Sequence, residues 1–200
     1  MRSILTVLGV ITALMAMLVL GVESVGSFAA DNSPPGRLTM LVVPGGARER
    51  ALMVGKRALA APRSERQTRV DEARHTIARY LSLVPTDGAL WALQAQLAAA
   101  NKPQDQEIAD LLKMSYFTAP NDPQLMPLRL AVAVRTKALS DPVLETLAAG
   151  DVRAILLRRK DLADGLIETS RDATDVGRAS LQRLVDAIDP QFGASLNAQR

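Results

Sequence analysis

Two stretches of this chain carry the same spacing, and that spacing commits the chain to paired helices. Ala73, Ile77 and Tyr80 are followed by Pro85; Ile108, Leu112 and Ser115 are followed by Pro120. Residues three and four apart share one face of a helix, and a proline a few positions on cannot continue it. The two prolines lie 35 residues apart. Each opens a matching restart, Pro85-Thr-Asp-Gly-Ala-Leu-Trp and Pro120-Asn-Asp-Pro-Gln-Leu-Met. Self-similarity near ~34 residues marks stacked helical hairpins, each too small to bury its apolar face alone. Arrays of this kind bind partners and seldom catalyse.

Composition agrees. The chain is 48% hydrophobic but only 3% aromatic, so its core is built from Leu, Val, Ile and Ala, a mixture that favours helix over strand. An all-α fold is expected. With no cysteine, disulfides, thiolate metal sites and a Cys nucleophile are excluded, while the redox compartment stays open. A formal charge of +3 is no argument for nucleic acid, and none is expected as a partner.

Residues 4–22 form an uncharged apolar run of 19 residues. At ~1.5 Å per residue it reaches roughly 28 Å, the depth of a bilayer's hydrocarbon core. Arg2 precedes it, and Glu23 and Asp31 follow. The positive-inside rule then leaves the N-terminus in the cytoplasm and carries the remainder across the membrane. The run exceeds the ~7–15 apolar residues of a signal-peptide core, which favours a retained anchor. Ser27-Phe28-Ala29 before Ala30 would also serve as a cleavage site, so a removed leader is the alternative. Residues 23–46, rich in Gly, Ser and Pro, read as a linker. Strand-like residues 38–43 lie within it, and Pro44-Gly45-Gly46 closes it.

The helical domain is expected over residues 47–190. A first helix covers 47–60, and a second, capped by Ser64, runs to about Leu83 with a stripe of Val70, Ala73, Ile77 and Leu81. Asp87 caps a helix over 88–100 with Leu90, Leu93 and Leu97 facing inward; its partner covers 104–118. Asn121 or Asp122 caps the next, with Pro123 in its first turn and Leu139 still on its apolar side. A short helix stops at Gly150, Asp151 caps another through Leu162 and Leu166 that is interrupted or ends near Gly165, and Thr174 or Asp175 precedes a last, atypical helix ending at Asp189-Pro190. Such a helix would cover the open end of the array. Residues 191–200 read as a frayed tail.

Between Arg48 and Arg79 nine cations face only four acidic groups. Most such runs are solvated faces with pairs four residues apart. The sharper reading is that Arg63, Arg66, Arg69 and Arg74 meet lipid headgroups or an anionic polysaccharide. Trp91, the single tryptophan, fits a wedge between helix pairs, with a ligand platform as the alternative. The lone His75 sits among Arg74, Glu72 and Arg79 and reads as a surface residue. Asp161 and Asp164 bring too few oxygens for a metal, and Gly45-Gly46 lacks the Lys-Ser or Lys-Thr of a phosphate loop. No catalytic residue, metal or cofactor is expected.

Trp91, six residues after Pro85, occupies the place where tetratricopeptide repeats carry a large aromatic, while Gln94 and Ala95 depart from the Leu and Gly of that pattern. With the two restarts, Ser115-Tyr-Phe-Thr-Ala-Pro120-Asn and Leu128-Arg-Leu130, the region 60–190 resembles membrane-anchored, tetratricopeptide-like proteins of bacterial exopolysaccharide clusters. Residues 85–134 alone are also similar to the helices of cytochrome c assembly factors. The resemblance implies an inner-membrane anchor and a small periplasmic helical domain that docks another protein of an envelope or polysaccharide assembly, without catalytic residues. The alternative is a cleaved, soluble periplasmic module that binds an anionic glycan through the basic helices.

Overall fold

A computed structural model describes residues 44–101 and 104–198, and among these every regular element is helical. The order is α1 (Pro44–Leu59), α2 (Arg63–Leu81), α3 (Gly88–Ala100), α4 (Asp105–Thr118), α5 (Met126–Val134), α6 (Pro142–Arg158), α7 (Ala163–Arg171), α8 (Asp175–Asp186) and α9 (Pro190–Ala198). Single 3-10 turns at Ala138–Ser140 and Lys160–Leu162 flank α6. The chain divides into two units, Met1–Arg48 and Glu49–Arg200. Among the described residues no helix is long and apolar enough to cross a membrane. The apolar run 4–22 and the strand-like residues 38–43 lie outside them.

Helix α3 is the hub of the N-terminal half. Asp87 caps it, its carboxylate accepting from the Leu90 N–H at 3.2 Å. Leu90, Leu93 and Leu97 turn inward as the stripe requires, but Ala92, Gln94, Ala95 and Ala98 are buried too. Helix α3 packs against α2 on one side and α4 on another, so a single apolar face is not enough. Two glycines make room for neighbouring side chains. A Cβ on Gly55 would stand 2.6 Å from Leu93 Cδ2, and one on Gly88 would stand 2.5 Å from Ala119 Cβ. Ser115, from the end of α4, donates to the Gly88 carbonyl at 2.8 Å and fixes that crossing.

The second half shares one core. Ile108, Leu112 and Tyr116 of α4 meet Leu130 and Val134 of α5, Val152 and Ile155 of α6, Leu166 of α7, Leu181 and Val185 of α8, and Leu196 of α9. Inside it Arg129 and Asp151 are buried, with relative exposures of 0% and 2%.

Several boundaries differ from those the sequence suggests. Helix α1 starts at Pro44 instead of Ala47. Ser64 does not cap α2: the helix starts at Arg63, with Pro62 at its cap position. Helix α5 begins at Met126 with Pro127 in its first turn, where a missing N–H costs nothing. Asp122 instead accepts from the Gln124 N–H at 2.9 Å, and Leu139 belongs to the 3-10 turn that follows α5.

The largest correction is at Gly150 and Asp151. Helix α6 runs through both, with Asp141 as its cap. A glycine inside a helix costs about 1 kcal/mol. Burying Val152, Ile155 and Leu156 outweighs that, and Asp151 gains Arg129 as a partner. Gly165 likewise lies inside α7. Residues 190–198 form a ninth helix, α9, where a frayed tail was expected: Leu196 is buried, and Asp189 accepts from the Gln191 and Phe192 N–H groups at 3.1 and 3.0 Å.

Candidate binding clefts

The end of α5 is pinned from both sides. Thr174, the cap of α8, directs its N–H and its hydroxyl to the Val134 carbonyl at 3.0 and 3.1 Å. From α4, the Asp105 carboxylate accepts the Lys137 N–H at 2.9 Å. The buried Thr136 hydroxyl turns back onto the Val132 and Ala133 carbonyls, 3.2 Å from each, and accepts from the Ala138 N–H at 3.3 Å. This loop forms one wall of an open cleft of about 410 Å³, whose other walls come from Leu59 of α1 and from Gln96, Ala99 and Ala100 of α3. Apolar walls carry a single amide at Gln96, and the rim carries Asp105, Arg135 and Lys137. Arg135 is paired with Asp172. Apolar walls with a few polar groups are the usual make-up of a binding cleft.

A second cleft, of about 440 Å³, lies between α2 and α3 and is lined by Asp71, Arg74, His75, Ala78 and Gln94. Gln94 is 7% exposed. Its Nε2 donates to the Arg74 carbonyl at 3.4 Å, and Arg74 Nη2 reaches Glu107 of α4. Asp71 accepts from Asn101 Nδ2 at 3.0 Å and from Gln67 Nε2 at 3.4 Å. Arg74 Nε and Gln94 Oε1 are both buried without a hydrogen-bonding partner. Along α3, Gln94 and Gln96 are two positions apart, or roughly 200° of helical turn, so the two clefts lie on opposite faces of the same helix.

Several charges are paired within the fold. Lys113 of α4 bridges Asp110 and Asp141 at 2.9 and 2.8 Å. The Asp141 carboxyl is held below its ordinary value by Lys113 and by the Leu144 N–H, and the Lys113 ammonium is held above its own by the same two carboxylates. Arg159 lowers Asp161 by direct hydrogen bonds. Burial pushes the Asp151 carboxyl up against the pull of Arg129, and it pushes the Tyr116 hydroxyl far up.

The residues singled out from the sequence do not converge. Arg63 is exposed at the start of α2. Arg66 folds back to donate twice to the Ala61 carbonyl, at 3.2 and 3.1 Å. Glu65 holds Arg69 through bonds of 3.0 and 2.9 Å, the pairing that the solvated reading of this face predicts. Arg74 pairs across to α4. Trp91 lines neither of these two clefts. It is half-buried, and its indole N–H latches onto the Pro85 carbonyl at 2.8 Å, closing the turn before α3. Of these five only Arg74 lines either of these two clefts, beside His75. The clefts draw instead on Gln94 and Gln96, which interrupt the apolar run of α3. Two amides inside a stretch of Ala and Leu were the available signal.

No family model, curated protein or solved structure matches this chain. Its functional reading rests on its own residues.

Proposed function

We propose that this protein is a non-catalytic docking module whose helical hairpins, of tetratricopeptide type, hold an extended segment of another protein. The cleft against Leu59, Gln96 and the α5 end carries this reading. Its walls are mostly apolar, Arg135 on its rim is paired with Asp172, and Thr136 and Thr174 are tied into the fold. In this proposal residues 4–22 anchor the chain in a bacterial inner membrane, the helical body lies in the periplasm, and the partner belongs to an envelope or polysaccharide assembly. The glycan-binding alternative has less support, because Arg66, Arg69 and Arg74 are engaged by Ala61, Glu65 and Glu107.

Site-specific photo-crosslinking of the full chain in its native cells tests the docking role. A crosslinker at Gln96 or Ala100 should give the same discrete adduct, and one at the exposed Leu157 of α6 should not. Identical adducts from all three positions, or none from the cleft, overturn it. A reporter fused after residue 200 should read outside the cytosol; a cytosolic signal overturns the topology.

A further inference from the structure

The cleft between α2 and α3 has a donor and an acceptor left over. Arg74 has spent Nη2 on Glu107, yet its Nε–H has no acceptor. Gln94 has spent Nε2 on a long 3.4 Å bond to the Arg74 carbonyl, yet its Oε1 has no donor. Nearly all buried polar groups in folded proteins are paired, so two orphans on neighbouring residues call for an explanation. Both residues line an open cleft, and Gln94 is more than nine-tenths buried there. The two atoms are themselves closed off, so an incoming group reaches them only once the weakly held Gln94 amide and the Arg74 side chain turn toward the cleft.

We infer that this cleft binds one amide group of a partner polypeptide, its carbonyl accepting from Arg74 Nε–H and its N–H donating to Gln94 Oε1. One donor and one acceptor are the complement of a single amide. A carboxylate would satisfy Arg74 but leave Gln94 facing a second acceptor. A sugar would want an aromatic face to stack on, and Ala78 is the only apolar side chain lining the cleft. Asp71 and His75 add a carboxylate and an imidazole at the sides. The site lies on the face of α3 opposite the Gln96 cleft, so it holds or fails independently of that docking role.

Nuclear magnetic resonance of the ¹⁵N-labelled full chain in detergent micelles tests it, with three small probes: acetamide, N-methylacetamide and N,N-dimethylacetamide. The first two can both donate and accept; the third only accepts. Saturable shifts of the Gln94 side-chain amide and Arg74 Nε–H are expected with acetamide or N-methylacetamide. At least tenfold weaker binding is expected for N,N-dimethylacetamide, and loss of binding in Gln94→Leu. Stronger binding of acetamide indicates an Asn or Gln side chain as the natural occupant; stronger binding of N-methylacetamide indicates backbone. Unchanged amide resonances near Arg129 report an intact fold in the variant. Equal binding of all three probes overturns the proposal, as do shifts that never saturate, an undiminished response in Gln94→Leu, or a direct Arg74 Nε–H to Gln94 Oε1 hydrogen bond in the unliganded protein.

Discussion

Arg129 of α5 grips Asp151 of α6 with two hydrogen bonds of 3.1 Å, Nε to Oδ2 and Nη2 to Oδ1, and both side chains are withdrawn from water. The guanidinium also lies over the Tyr116 ring, 4.0 Å from its centroid, and donates to the Ala119 carbonyl at 2.8 Å and the Pro120 carbonyl at 3.4 Å. One side chain thus ties together α4, the turn after it, α5 and α6. The turn at Pro120, so visible in the sequence, is held from inside by a residue nine positions later.

Removing one half of this pair should be far worse than removing both. Asp151→Ala leaves a buried guanidinium uncompensated and is expected to cost about 3–5 kcal/mol. Arg129→Met combined with Asp151→Leu should recover most of that loss, because a buried ion pair replaced by apolar groups is often near neutral. Chemical denaturation of the two variants checks it; equal losses would refute the account of the pair.

Glycines in α6 and α8 should respond in opposite directions. A Cβ on Gly177 would sit 1.9 Å from the Val134 carbonyl oxygen, which is backbone and cannot turn aside. Gly177→Ala should therefore separate α8 from the end of α5 and cost on the order of 3 kcal/mol or more, as overpacked sites do at the severe end. A Cβ on Gly150 meets nothing within 4 Å, so Gly150→Ala should stabilise α6 by about 0.5–1 kcal/mol. Melting curves of the two variants decide it.

The same junction depends on the Thr174 hydroxyl, which accepts from the Gly177 N–H at 3.1 Å while donating to Val134. Thr174→Ala should cost about 1–2 kcal/mol, and Thr174→Ser should keep most of it. Hydrogen exchange should localise the loss to the first turn of α8; uniform loosening would speak against a capping role.

Acid and alkali should weaken the Lys113–Asp141 bridge at opposite ends of the pH scale. The Asp141 carboxyl is lowered in the fold, so its contribution is complete above its ordinary value of 3.8 and disappears as pH falls through the lower folded value. The Lys113 ammonium is raised, so its contribution is complete below 10.5 and disappears as pH rises through the higher folded value. Lys113→Met should flatten both limbs of the stability profile. Asp151 runs the other way: burial raises it, so its contribution declines as pH climbs from 3.8 through the folded value. Urea midpoints measured from pH 3 to 11 separate the three.

Helices α2, α3 and α4 were legible because their signals are local: apolar residues three and four apart, Asp87 three residues before Leu90, and a proline after each second helix. The region after Pro120 was legible in part. Asp151 after Gly150 looks like a cap following a stop, and only the presence of Arg129 from another helix makes an aspartate tolerable in the middle of α6. The Glu65–Arg69 pair was legible, four residues apart on one helix, but the Arg66 guanidinium folding back onto the Ala61 carbonyl was not. The clefts were harder still, since Gln94 and Gln96 are two positions apart in the chain yet face different spaces.

The chain by itself determined that the described residues are helical with a Leu- and Ala-built core, because periodicity, capping and proline placement act within one or two turns. Tertiary structure alone decided where α6 continues, which partners Arg74 and Arg129 find and which polar atoms remain unsatisfied. Those outcomes depend on burial and on partners 20 to 40 residues away, where the energy of a charge is set by what packs against it.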